Sequence, residues 1–183
     1  RLENWDIFPV MALFRGESPL VQQQLTPRNG LYVILLVTVL ATIRLISVYD
    51  GSLLPNDTAQ YLSVARHLVA GEGLKTDLVF FSEHLALGSM PVEQTVFPPG
   101  YPLLITLPVA LGFNVPDAAF VVTASAFALT PIILYLLGSS LGQAPGLALA
   151  SSLFWIGLVD NWFITLERQP EMPFILCTLL ALL

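Results

Sequence analysis

The chain is predicted to be all-α, a polytopic transmembrane helical bundle with a long extracytoplasmic first loop containing amphipathic or juxtamembrane helices. Three observations predict this. Of 183 residues 55% are hydrophobic and only 11% charged, with a mean hydropathy of +0.76, whereas a soluble domain carries roughly 25% charged residues. The apolar residues are gathered into long runs, notably 31–48 and 118–137, rather than spread as in a soluble core. Between these runs lies an acidic stretch, with Asp50, Asp57, Glu72, Asp77, Glu83 and Glu93 against Arg66 and Lys75, of the kind that is readily translocated.

Charge and cysteine content exclude other classes. Net charge is −6, and the 7 Lys and Arg residues never cluster, so nucleic-acid binding has no electrostatic footprint. Cys177 is the single cysteine, which leaves no disulfide framework and no cysteine-based metal site within the chain. His67 and His84 are not at metal-ligand spacing and read as ordinary polar loop residues. No Cys-x-x-Cys and no phosphate-binding loop occurs, so a nucleotide site is unsupported.

Residues 1–30 read as a cytoplasmic N-terminal segment, because Arg15 and Arg28 precede the first apolar run. Met11 is a candidate start, with residues 1–10 as upstream material. Helix 1 is expected over 31–48 as a signal anchor, since no small-residue cleavage site follows it. Arg44 stands about 6 Å from its end, where it can snorkel to the interface or face a polar cavity and meet an anion.

The outer loop is expected over 49–117. Within it Tyr61, Val64, Ala65, Leu68 and Val69 make the stripe of an amphipathic helix over 58–70, with Gly71 and Gly73 as its stops. The apolar run 103–113 is only about 16 Å long as helix and contains Pro108, which predicts a re-entrant or interfacial helix. Helix 2 is expected over 118–137, kinked at Pro131, followed by a tight turn over 138–145. Helix 3 is expected over 146–164, with Asp160 and Trp162 in the interface. Residues 174–183 read as the start of helix 4, continuing beyond Leu183 because ten residues span only about 15 Å. Two crossings then separate the loop around Asp57 from the short loop 165–173, and the two must share one face of the membrane.

Two carboxylates stand out. Asp57 opens the amphipathic helix, where it can cap the first amides or act chemically on a lipid headgroup or on an acceptor delivered from outside. Glu171, between Pro170 and Met172-Pro173, suits the first turn of a helix and, on the face shared with Asp57, could pair with it in general acid–base work. Glu167 and Asp160 are lesser candidates in the same loop.

The order of motifs is distinctive: Arg44-Leu45, Asn56-Asp57-x-x-x-Tyr61-Leu62, Ala65-Arg66-x-Leu68, Gly71-x-Gly73, Phe97-Pro98-Pro99-Gly100-Tyr101-Pro102, and Pro170-Glu171-Met172-Pro173-Phe174. Over residues 31–183 the chain resembles the N-terminal part of GT-C membrane glycosyltransferases, nearest in look to bacterial relatives of dolichyl-phosphate-mannose protein mannosyltransferases and of lipid A aminoarabinose transferases. The resemblance implies a multi-pass enzyme of the cell (inner or plasma) membrane with its active site on the extracytoplasmic face. It implies inverting transfer of a sugar from a polyprenyl-phosphate donor to a lipid, glycan or protein acceptor. Asp57 then falls on the family's loop base or metal ligand, with Mg or Mn as the cation, and Glu171 on its second outer-loop acid. Arg44, Tyr61 and Tyr101 are the residues placed to bind donor phosphate or substrate. Asn56-Asp57 stands where some relatives have two acids, and the turn 138–145 lacks the family's usual Arg residues. A segment of a secondary transporter, or of a membrane assembly protein docking through its acidic loop, is the alternative from another class.

Overall fold

The structure, a computed structural model, describes residues 26–78 and 90–183. The readings placed on residues 1–25, including Met11 and Arg15, and on Glu83 and His84, lie outside the described residues. Seven helices are described: α1 Pro27–Val48, α2 Asn56–Val69, α3 Gly100–Ala110, α4 Val115–Ser140, α5 Pro145–Gly157, α6 Val159–Leu166 and α7 Glu171–Leu182. Among the described residues the fold departs from all-α at one place, where β1 Lys75–Thr76 pairs antiparallel with β2 Val92–Glu93, Lys75 opposite Glu93 and Thr76 opposite Val92.

Among the described residues α1 and α4 are each long and apolar enough to cross a membrane. The expected helix 3 is divided: α5 and α6 meet at a bend of 52° and make a third span only if taken together. The break falls at Leu158, whose backbone is extended, and two side chains stabilise it. Asn161 Nδ2 donates to the Trp155 carbonyl at 2.8 Å and Trp162 Nε1 to the Ile156 carbonyl at 2.7 Å, replacing the amides that the last turn of α5 has lost. The helix α3 is short, as expected, but it starts three residues before the expected run, at Gly100, and ends at Ala110 with Pro108 in its last turn. Likewise α4 continues through Pro131 to Ser140, which narrows the following turn to 141–144.

Packing follows small residues. The buried stripe of α1 is Gly30, Ile34, Thr38, Ala41 and Leu45, while Leu36, Leu40, Ile43 and Ile46 are exposed as on a helix bordering lipid. Gly30 lets α4 approach closely, since a Cβ there would lie 2.9 Å from Tyr135 Cζ, and the Tyr135 hydroxyl donates to the Pro27 carbonyl at 2.7 Å. The main core joins Ile34, Ala41 and Leu45 to Phe127, Trp155, Ile156 and Met172. A second core, of Tyr61, Leu62, Ala65, Tyr101, Ile105, Ala118 and Ala119, seats α2 and α3 on the first half of α4.

The stop of α2 is as expected. Gly71 has φ +76, its amide reaches the Leu68 carbonyl at 3.1 Å, and the Glu72 amide reaches His67 at 2.9 Å, which is the Schellman geometry.

Candidate functional site

The helix α2 begins at Asn56, two residues earlier than an Asp57 cap would require. Its N-cap is Pro55 with no side-chain cap bond, and the Ala59 amide is taken by the Pro55 carbonyl at 2.9 Å. The capping reading of Asp57 is thereby corrected: the carboxylate lies exposed in the first turn, favoured only by the helix dipole. One turn on along the same face is Tyr61, which is buried.

Glu171 is the first residue of α7, also exposed, and α7 begins three residues before the expected run. It lines a cavity of about 420 Å³ between α2, α3 and α7 together with Tyr61, Tyr101, Leu104, Phe174 and Cys177. The lining is mostly apolar, with Tyr61, Tyr101 and Glu171 as its side chains that carry polar oxygen atoms. Cys177 lies six residues beyond Glu171, about 9 Å along the helix. Tyr61 and Tyr101 pack edge to face at 5.3 Å and 81°.

Both phenols are held in the neutral form. Burial raises the Tyr61 pKa, and the charges of Glu171 and then Asp57 raise it further. Burial also raises Tyr101, against the lowering effect of Arg168 and with the help of Glu171. Both carboxylates therefore bear on one phenol, so the two loops predicted to share a face do meet. The meeting is direct: Thr58 Oγ1 donates to the Glu167 carbonyl at 2.9 Å, and the Tyr101 hydroxyl donates to the Arg168 carbonyl at 2.6 Å.

Arg44 is not part of this assembly. It is exposed on α1, its guanidinium 3.4 Å from Ser47 Oγ, and it does not line the cavity. Asp160 is exposed in the first turn of α6, and the Glu167 side chain accepts from Gln169 Nε2. No group of three or more His, Cys, Asp or Glu able to hold a metal occurs among the described residues. Among the described residues the donor set falls short of a cation site.

Two features were not legible as site components. Arg168 is buried, 1% exposed, and its guanidinium donates to the Tyr49 hydroxyl at 3.1 Å and to the Gly51 and Leu53 carbonyls. Tyr49 in turn donates to Asp117 Oδ1 at 3.2 Å. The available signal was an isolated cation between two apolar helices, which has to find polar partners. His67 is more than a loop residue: it is buried, with Nδ1 2.6 Å from Glu72 and Nε2 3.1 Å from Asp77, although the latter is not aligned as a hydrogen bond. With the Arg66–Asp77 pair at 2.7 Å it fastens the β1 segment to α2.

Gly138-x-Ser140-x-Gly142 has the spacing of a serine-hydrolase nucleophile elbow. It ends a helix instead of joining a strand to one, and Ser140 Oγ donates to the Leu137 carbonyl at 2.8 Å.

The fold and site define a helical protein with apolar helices of membrane-crossing length and a mostly apolar cavity lined by two tyrosines and Glu171. Comparison with protein-family models, curated proteins and solved structures finds no match for the chain.

Proposed function

We propose that the chain is the N-terminal part of a polytopic membrane glycosyltransferase, using a polyprenyl-phosphate-linked sugar on the extracytoplasmic side. The observation that carries this reading is the mostly apolar cavity lined by Tyr61, Tyr101 and Glu171, with the charge of Asp57 also bearing on Tyr61. Its volume of about 420 Å³ suits a small-molecule ligand. A lipid-linked sugar matches this lining: in this reading the prenyl chain lies along apolar side chains such as Leu104 and Phe174, and the sugar lies against Tyr61, Tyr101 and Glu171.

In this reading the acceptor hydroxyl attacks the anomeric carbon as the bond to the donor phosphate breaks. The new C–O bond forms with inversion, polyprenyl phosphate leaves with its electron pair, and Asp57 takes the acceptor proton, a contribution of typically 10²–10⁴-fold. Freed from capping, both Asp57 oxygens are available for this work. Glu171 holds sugar hydroxyls, and the neutral phenols of Tyr61 and Tyr101 line the same cavity. The leaving phosphate calls for a cation. Arg44 lies away from the cavity, and Arg168 is the basic side chain whose charge reaches Tyr101.

The test is sugar transfer by membranes containing the protein, offered a panel of labelled polyprenyl-phosphate sugars, with wild type beside Asp57→Asn. Transfer present in wild type and lost in the variant is expected. Normal turnover by a well-expressed Asp57→Asn protein removes Asp57 from the mechanism. The bend at Leu158 favours a second reading, part of a secondary transporter, whose sites are built from broken helices. No donor consumed, with expression confirmed, shifts the assignment there.

A further inference from the structure

Three of the described helices, α2, α3 and α4, end on a glycine in the left-handed region, Gly71, Gly112 and Gly142. The helix α6 ends the same way on Arg168, at φ 58, the one non-glycine with positive φ among the described residues. Its amide reaches the Thr165 carbonyl at 3.0 Å and the Gln169 amide reaches Ile164 at 3.1 Å, so the corner is a Schellman turn with arginine in glycine's place. An L-residue there carries strain, and a buried guanidinium carries a desolvation cost. No carboxylate lies within ion-pair distance of it among the described residues. A helix stop needs neither cost, since glycine ends a helix with less strain.

What the arginine adds is a set of ties. Its side chain binds Tyr49, Gly51 and Leu53, the segment that leads from α1 into α2. Its carbonyl holds Tyr101 at the start of α3, and the preceding carbonyl, of Glu167, holds Thr58 of α2. Asp57 lies four residues beyond Leu53, and Glu171 three beyond Arg168. We infer that Arg168 is a positioning residue: its guanidinium ties the segment after α1 to the α6–α7 corner and thereby sets Asp57 and Glu171 near Tyr61, whose ring lines the cavity. The consequence for turnover rests on the transferase reading, whereas the tie does not.

The test compares wild type, Arg168→Gly and Arg168→Lys, each in the complete enzyme of which this chain is proposed to be the N-terminal part, in lipid nanodiscs. Amide hydrogen exchange is followed at residues 51–54, and transfer is measured with a radiolabelled polyprenyl-phosphate hexose. Glycine relaxes the left-handed turn while removing the ties, so a residue kept only to end α6 would tolerate it with unchanged exchange. The expected result is exchange faster by roughly tenfold or more in Arg168→Gly, intermediate in Arg168→Lys, with kcat lowered and the donor KM little changed. Unchanged exchange in both variants overturns the tie, and should Arg168→Gly not fold, unchanged exchange in Arg168→Lys alone does so. Faster exchange with unchanged kcat overturns the positioning role. Faster exchange with no donor turned over even by wild type supports the tie and overturns the transferase reading instead.

Discussion

The corners at Gly142 and Arg168 are built on the same backbone device and used in opposite ways. At the first, the Gly142 amide bonds to Ser139 at 3.1 Å and the Gln143 amide to Gly138 at 3.0 Å, and nothing lies within 4 Å of where a Cβ would be. The chain simply reverses there, between α4 and α5. At the second, the matching bonds surround a buried arginine, and neighbouring side chains from α2 and α3 use its carbonyl groups. Thr123 of α4 adds a contact at 3.1 Å to the Thr165 carbonyl, shared with carbonyls of its own helix. The contrast teaches that the same helix stop can also be a hub that ties distant segments: its carbonyls serve α2 and α3, and the arginine side chain adds the reach to residues 49–53 that glycine lacks.

The largest effect expected from this contrast is on transfer. Glu171→Gln, just beyond the Arg168 corner, should lower turnover by about 10²-fold, whereas Gly142→Ala should leave it unchanged. A donor-transfer assay on both variants separates a corner that carries chemistry from one that only turns the chain.

Stability effects come next. Gly142→Val puts a branched residue where φ is +74 and should cost about 2 kcal/mol, read as a lowered apparent Tm in detergent. Tyr101→Phe should cost about 1 to 2 kcal/mol by leaving the Arg168 carbonyl without its buried donor. An unchanged Tm for Tyr101→Phe would show that the hub does not depend on this bond.

The smallest expected effect is on titration. Folding raises the pKa of Tyr61 and Tyr101, so it favours their neutral forms. The stability they contribute is fully present below the ordinary phenol value of about 10 and is lost as pH rises through and beyond it, because the unfolded chain releases these protons first. Ultraviolet difference absorbance should show tyrosinate from these rings only above that pH, and Glu171→Gln should bring the Tyr61 transition down.

Most helices were legible because their signals are local. The apolar runs marked α1 and α4, the periodicity of Tyr61, Val64, Ala65, Leu68 and Val69 marked α2, and Gly71 marked its stop. The errors were local as well. Composition does not register that Asn161 and Trp162 can satisfy the carbonyls freed at Leu158, so α5 and α6 read as one helix. Starting α2 at Asn56 in place of Thr58 moved Asp57 from the cap expectation into the first turn. A two-residue strand pair between Lys75–Thr76 and Val92–Glu93 has no sequence period to detect.

By itself the sequence determined helices of membrane-crossing length and the short polar connections that gather carboxylates, since hydropathy and turn chemistry act between near neighbours in the chain. Only the tertiary structure decided which polar groups meet. It turned Arg44 outward and brought Arg168 in, drew Asp57 and Glu171 toward one phenol, and joined Thr58 to Glu167 across more than a hundred residues. The physical reason is that a buried polar group must be satisfied by whatever the fold brings within about 3 Å, and packing between distant segments decides what that is.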